Sequence, residues 1–318
     1  MTVRSAERLA RQRGSGVRIV SGVGLGLACL AVAAAAAAQG PAIQPYKDDL
    51  FQNHVIKTLY DGDMRFIEYS KERDLYGRDK VVEKKAFDKY VSLEPDAVQR
   101  DLVLRDRGRV VRYIGVGRTD GDARFIVFFL HGGNGNRHQA VDDWSFGGNF
   151  NRLKNLVVRN GGVYLSPDYG LFGGEDDVRA LMAAYAEKSP GAPIMVACTS
   201  LSGEICFNLM ADPRSAGRLG GVLLLGSLVK EKTFFASPVF TDPARHVPIF
   251  VGHGSDDTIL DWVTQELFFK KVKAAAPGYP IRFDLFVNGL HGTPMRLTDW
   301  RRVLNWMIGE HGTATTID

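Results

Sequence analysis

Residues 194–206 read Ile-Met-Val-Ala-Cys-Thr-Ser-Leu-Ser-Gly-Glu-Ile-Cys. The first five are an apolar run of strand length, and residues 203–211 follow with apolar positions recurring at helical spacing. Ser200 stands at the junction, with the small residues Cys198 two before it and Ser202 two after. A sharp strand-to-helix turn needs small residues at those places, because it holds the serine in a strained backbone and presents its hydroxyl. A serine-rich junction of this kind is also an ordinary helix cap when taken alone, so the flanking sequence has to decide.

Outward from this junction, apolar runs of strand length lie at 109–116, 125–131, 162–166, 221–225, 249–252 and 281–287. Helix-like stretches lie between or after them at 140–160, 176–188, 260–276 and 299–309. Nearly continuous apolar strands alternating with helices predict an α/β fold whose mostly parallel sheet is covered on both faces. Residues 101–104 and 109–116 read as an antiparallel hairpin leading into it. In such a sheet, function belongs at the carboxyl ends of the strands.

A serine hydroxyl needs a base to take its proton, and the base needs an acid to hold its tautomer. The run at 249–252 leads into His253-Gly254-Ser255-Asp256-Asp257, and the run at 281–287 into Asn288-Gly289-Leu290-His291. Ser200, Asp257 and His291 therefore follow one another in chain order, each just after a candidate strand. Ser202 is the rival nucleophile, but Glu204 would then crowd the position two beyond it; Asp256 is the rival acid. The run at 125–131 ends in Gly132-Gly133-Asn134-Gly135, a turn whose amides no side chain would block. Gly133 and Leu201 are the candidate oxyanion donors. The glycine turn lacks the Lys-Ser/Thr ending of a phosphate loop, and no G-x-G-x-x-G opens a helix there.

These residues resemble the α/β-hydrolase superfamily over residues 100–312, at His131-Gly132-Gly133, Asp168-Tyr169-Gly170, the turn around Ser200, the 253–257 segment and Gly289-Leu290-His291. The resemblance implies a mostly parallel eight-stranded sheet flanked by helices, a Ser200–His291–Asp257 triad, and acyl transfer to water without a metal or organic cofactor. Cys198 and Ser202 stand where the family usually has glycine. Asp168 and Tyr169 are candidates for a substrate loop, with a loop-stabilising hydrogen bond as the plainer role for Asp168. His131 and His253 read as loop-holding residues, and His54, His138, His246 and His311 have no companions at metal-ligand spacing.

Composition narrows the partners. At 45% hydrophobic and 24% charged the chain is a folded globular protein. Its net charge of +4 lies in residues 1–38, where Arg4, Arg8, Arg11, Arg13 and Arg18 face Glu7 alone, leaving 35 basic against 35 acidic groups elsewhere. A neutral body offers no footprint for nucleic acid or an anionic membrane. Residues 1–38, with an uncharged Ala-, Gly-, Leu- and Val-rich stretch over 19–38, read as a cleavable export signal; an uncleaved membrane anchor is the alternative. The body would then be periplasmic or secreted. Cys198 and Cys206 are read as two small buried thiols, a disulfide being the alternative. Residues 39–100 form a charged amino-terminal extension, read as mixed or helical with a solvated helical face, and 313–318 a tail. The short interval from Leu228 to Pro248 leaves no room for a large lid. The expected activity is therefore hydrolysis of a small or soluble carboxylic ester. Acyl transfer by the same triad, or a non-catalytic binding or assembly role using residues 41–100, are the alternatives.

Overall fold

A computed structural model describes residues 43–170 and 173–315, and side chains as far as 311; the export-signal reading falls on residues outside these. The strands are β1 (Val55–Leu59), β2 (Met64–Glu68), β3 (Asp79–Val81), β4 (Lys85–Ala86), β5 (Gln99–Asp106), β6 (Arg109–Gly117), β7 (Ile126–Leu130), β8 (Val163–Pro167), β9 (Ile194–Ser200), β10 (Leu219–Ser227), β11 (Ile249–Gly254) and β12 (Ile281–Val287). The α-helices are α1 (Asn149–Arg159), α2 (Glu175–Lys188), α3 (Gly203–Ala211), α4 (Pro213–Ala216), α5 (Glu231–Phe235), α6 (Pro238–Thr241), α7 (Trp262–Ala275), α8 (Thr293–Leu297) and α9 (Trp300–Thr315).

Ten strands form one sheet in the order β1-β2-β12-β11-β10-β9-β7-β8-β6-β5. From β2 to β8 all neighbours run parallel, while β1, β6 and β5 pair antiparallel at the margins. Strands β7, β8, β10 and β11 are buried along their whole length because helices cover both faces. Alternate residues serve the two layers: Ile126, Phe128 and Leu130 pack with α2, α3 and α7, whereas Val127 and Phe129 pack with α1 and α9. Between β10 and β11 stand only the short α5 and α6 and one further turn, so that interval holds no large lid.

The eight strands that the resemblance implies are β5 to β12, and two further strands of the sheet come from the amino-terminal extension. Two other expectations are corrected. The extension is mixed, but the solvated helical face read for it is not found among its described residues. Among its described residues it has short helical turns and strands, and its aromatic residues Phe51, Tyr69 and Tyr90 are buried. Its β2 completes the parallel edge, and Arg65 on β2 holds the buried Asp284 of β12 through two hydrogen bonds of 2.9 and 2.6 Å. Charge density made this segment look solvated because its partners lie far along the chain. Finally, Cys198 and Cys206 form a disulfide. The chain folds back from β9 into α3, bringing the two Cα atoms to 6.3 Å, within disulfide range.

The extension also explains why α1 is buried on every side. Asn151 and Asn155 donate to the Ser92 carbonyl, and Arg152 pairs with Asp48 and Asp299. Lys154, fully buried, pairs with Asp143 at 2.8 Å and Asp96 at 3.1 Å. A helix carrying these side chains is stable inside only when each polar group has a partner. Among the described residues, no helix is long and apolar enough to cross a membrane.

Candidate active site

Strand β9 ends at Ser200, whose φ of 54° lies in the left-handed region that non-glycine residues rarely occupy. Helix α3 begins three residues on. Gly203 is required there, because a Cβ would fall 2.1 Å from Ser227 Oγ and 2.6 Å from the Leu228 carbonyl. The two departures from the glycine pattern both have structural uses. Cys198 is bonded to Cys206 and so ties the strand before the turn to the helix after it. Ser202 is fully buried, with Oγ 3.0 Å from the Leu130 carbonyl and 2.8 Å from that of Thr199, and it accepts the Thr199 N–H at 2.8 Å. The rival serine is thus a brace between β7 and the turn, while Ser200 lines the cleft.

His291 follows β12 and lines the same cleft. Its Nδ1 lies 2.7 Å from Asp257 Oδ2, and the Asp257 side chain is buried. Asp257 Oδ1 accepts the amides of Ile259 at 2.8 Å and Leu260 at 3.1 Å. Burial alone would raise the Asp257 pKa; the donors from His291, Ile259 and Leu260 outweigh it and hold the carboxyl below its ordinary value. Asp256 is exposed and accepts only a local bond from Ser255 Oγ at 2.8 Å. The fully buried His253 approaches the same carboxylate oxygen, its Nε2 at 3.1 Å from Oδ2 and 3.0 Å from the Leu260 carbonyl. Burial lowers its pKa, which favours the neutral ring.

The glycine turn after β7 lies against the serine. A Cβ on Gly132 would stand 3.1 Å from Ser200 Cβ, and one on Gly133 would stand 3.2 Å from Leu201 Cδ1. Neither the Gly133 nor the Leu201 amide donates to a backbone carbonyl among the described residues. The structure brings together the environments of Ser200, Asp257, His291, Gly133 and Leu201. It does not bring Asp168 or Tyr169 into the cleft lining. Asp168 instead accepts the Arg137 amide and guanidinium, both at 2.7 Å, and Tyr169 stacks on His131 at 4.4 Å and donates to its carbonyl. Both therefore hold the loop that carries Gly132 and Gly133. Burial raises the Tyr169 pKa and keeps that donor protonated.

The strand order and the positive-φ serine between β9 and α3 decide the architecture. This chain has the α/β-hydrolase fold. No family model and no curated protein matches it. Among solved structures it is similar to an α/β serine hydrolase homologue from Coxiella burnetii, at 12% identity and TM-score 0.48, over 65% of this chain and 95% of the other. An esterase from Pyrococcus furiosus gives 13% identity and TM-score 0.48 over 69% and 94%. A soluble variant of monoglyceride lipase from Saccharomyces cerevisiae gives 14% and 0.48 over 67% and 96%.

The hydrolase-fold cleft has a volume of about 660 Å³ and includes wall residues that sequence reasoning missed, among them Asn136, His138, Gln139, Phe146 and Met295. They belong to the irregular 134–146 segment and the short α8, where no periodic pattern or motif marks them. Among the described residues no His, Cys, Asp and Glu group is arranged to hold a metal ion.

Proposed function

We propose that the chain is an exported serine hydrolase that cleaves a carboxylic ester through Ser200, His291 and Asp257. The observation that carries this reading is the strained Ser200 sharing a cleft with His291, whose ring is held by the buried Asp257. With Nδ1–H donated to Asp257, His291 presents Nε2 as the base. It takes the Ser200 proton as Oγ attacks the ester carbonyl, and the amides of Gly133 and Leu201 receive the oxyanion. The carbon–oxygen bond to the alcohol then breaks, and the histidine proton passes to the departing oxygen. Water, deprotonated by the same ring, attacks the acyl-enzyme and releases the acid.

The short α5–α6 interval and the open cleft support a small or water-soluble ester. The composition of residues 1–38 supports export, and so does the Cys198–Cys206 disulfide, since reducing compartments keep most thiols free.

The test is reaction of the folded protein with a fluorophosphonate, followed by mass spectrometry. One adduct on the Ser200 peptide, lost in His291→Ala, together with release of acid from short-chain esters, is expected. Folded protein that takes no adduct while a known serine esterase is labelled would overturn the reading in favour of a binding protein. An alcohol acceptor that outcompetes water for the acyl group would make it a transferase.

A further inference from the structure

A second cavity of about 300 Å³ adjoins the cleft, and Phe146 lines both. One side is built by the extension through Tyr69, Leu75 and Glu83. The other side is the loop that carries His291, through Leu290, Gly292 and Thr293, with Arg296 behind it. Phe146 has φ of 48° and is followed by Gly147 and Gly148 at 62° and 74°, so three consecutive residues are held in the left-handed region. Its ring reaches the His291 loop, since a Cβ on Gly292 would touch Phe146 Cε1 at 3.4 Å.

The cation in this wall is paired. Arg296 binds Asp79 through two hydrogen bonds of 2.9 and 2.8 Å and donates to the Asp74 carbonyl at 3.1 Å. That neutralises its cation, leaving Glu83, an exposed residue, to discourage anions. Leu75, Phe146 and Leu290 supply apolar surface. The Tyr69 hydroxyl has no hydrogen-bond partner among the described residues.

Chemistry assigns the cavity to one end of the substrate. His291 must hand its proton to the departing alcohol, so that alcohol lies beside the histidine, while the acyl oxygen faces the Gly132–Gly133 turn. The second cavity is bounded by the residues immediately before and after His291 and by none of the glycine turn. We propose that it is the leaving-group site and that it takes an uncharged aromatic alcohol. This rests on the serine-hydrolase reading and deepens it, placing selectivity for the alcohol in the amino-terminal extension.

The experiment compares acetate esters of ethanol, benzyl alcohol and 2-naphthylmethanol, whose leaving groups are all simple alkoxides, with a parallel series of ethyl esters of growing acyl length. The full chain and two variants are used: Leu290→Trp, at an exposed position, narrows the cavity, and Leu75→Ala widens it. The wild type is expected to favour benzyl over ethyl acetate in kcat/KM by about tenfold or more. Leu290→Trp should erase that ratio and Leu75→Ala should shift the preference toward naphthylmethyl, both leaving the acyl-length profile in place. Equal kcat/KM for benzyl and ethyl acetate in a chain whose Ser200 takes the fluorophosphonate overturns this inference alone. So does a variant that changes the acyl-length profile and not the alcohol ratio. A chain that neither hydrolyses any of these esters nor takes the probe overturns the inference and the serine-hydrolase reading together.

Discussion

The two walls of the site differ in origin. One is made at strand ends: Gly132 and Gly133 after β7, Ser200 ending β9, Asp257 after β11 and His291 after β12. The other is made by the extension and the 142–148 segment, held to α8 by the buried Arg296–Asp79 pair. Strand ends are placed by the sheet itself, and local partners such as Ser202, Asp257 and Tyr169 complete the geometry there. The extension wall touches the sheet only at Tyr69, just after β2, and otherwise depends on buried ion pairs and on a left-handed run at 146–148. Chemistry is proposed for the first wall and selectivity for the second.

The largest separation of the two walls is expected from Ser200→Ala. Turnover of any ester should fall by about 10⁴-fold or more, with Tm close to wild type, because the change leaves the packing of β9 and α3 intact. A large drop in Tm would mean that the hydroxyl also braces the fold. Arg296→Met should do the reverse. It leaves Asp79 buried without its partner, which typically costs about 3 to 5 kcal/mol in denaturant unfolding, while folded molecules still hydrolyse ethyl acetate. Loss of ethyl acetate turnover in proportion to stability would show that the two walls are one unit.

Replacing both cysteines, Cys198→Ala with Cys206→Ala, opens a closed loop eight positions long. Chain-entropy arguments put the cost at about 2.5 kcal/mol, measured as a lower denaturant midpoint, and turnover should fall as well because the bridge spans the serine turn. Comparing Ser200→Gly with Ser200→Ala isolates the strain at φ 54°. The glycine variant should be more stable by about 1 kcal/mol, and equal stabilities would deny that the turn is strained.

The smallest effect is on pH dependence. His253 is fully buried, and burial holds its pKa below the ordinary 6.5. The unfolded chain therefore takes up a proton first as pH falls below 6.5, and stability declines from there down to the folded pKa. Asp257 acts in the same direction in a lower window: its pKa is depressed from 3.8, so its contribution is complete above that value and is lost only as pH falls through the folded one. Between pH 7 and 5 the decline belongs to His253 and to His311, which burial also lowers. His253→Gln should flatten the Tm profile over that range, and an unchanged slope would remove His253 from the account.

Much of the first wall was legible because each element is a short-range signal. An apolar run of strand length, a small-flanked serine, a glycine pair and a histidine after a glycine each occupy a few adjacent residues, and their order along the chain does the rest. The second wall was not legible. Phe146 sits in a glycine-rich turn without a motif, and Leu75 and Tyr69 lie in a segment whose charges resembled a solvated surface. Asp168 and Tyr169, candidates for a substrate loop, have Arg137 and His131 as partners and lie outside the cleft lining.

The sequence by itself determined the α/β class, the strand that carries Ser200 and the chain order of the three candidate catalytic groups, because local periodicity and turn chemistry act within a few residues. Only the tertiary structure decided that the extension completes the sheet, that Cys198 bonds Cys206 and that Ser202 is a brace. Cys198 and Cys206 are only eight positions apart and are brought together by the turn from β9 into α3; for the extension the physical reason is distance along the chain: Arg65 finds Asp284 219 positions away, and the Ile43 amide finds Asn305 262 positions away. Partners that far apart leave no mark on each other's neighbouring sequence, so the folded chain alone reveals the pairing.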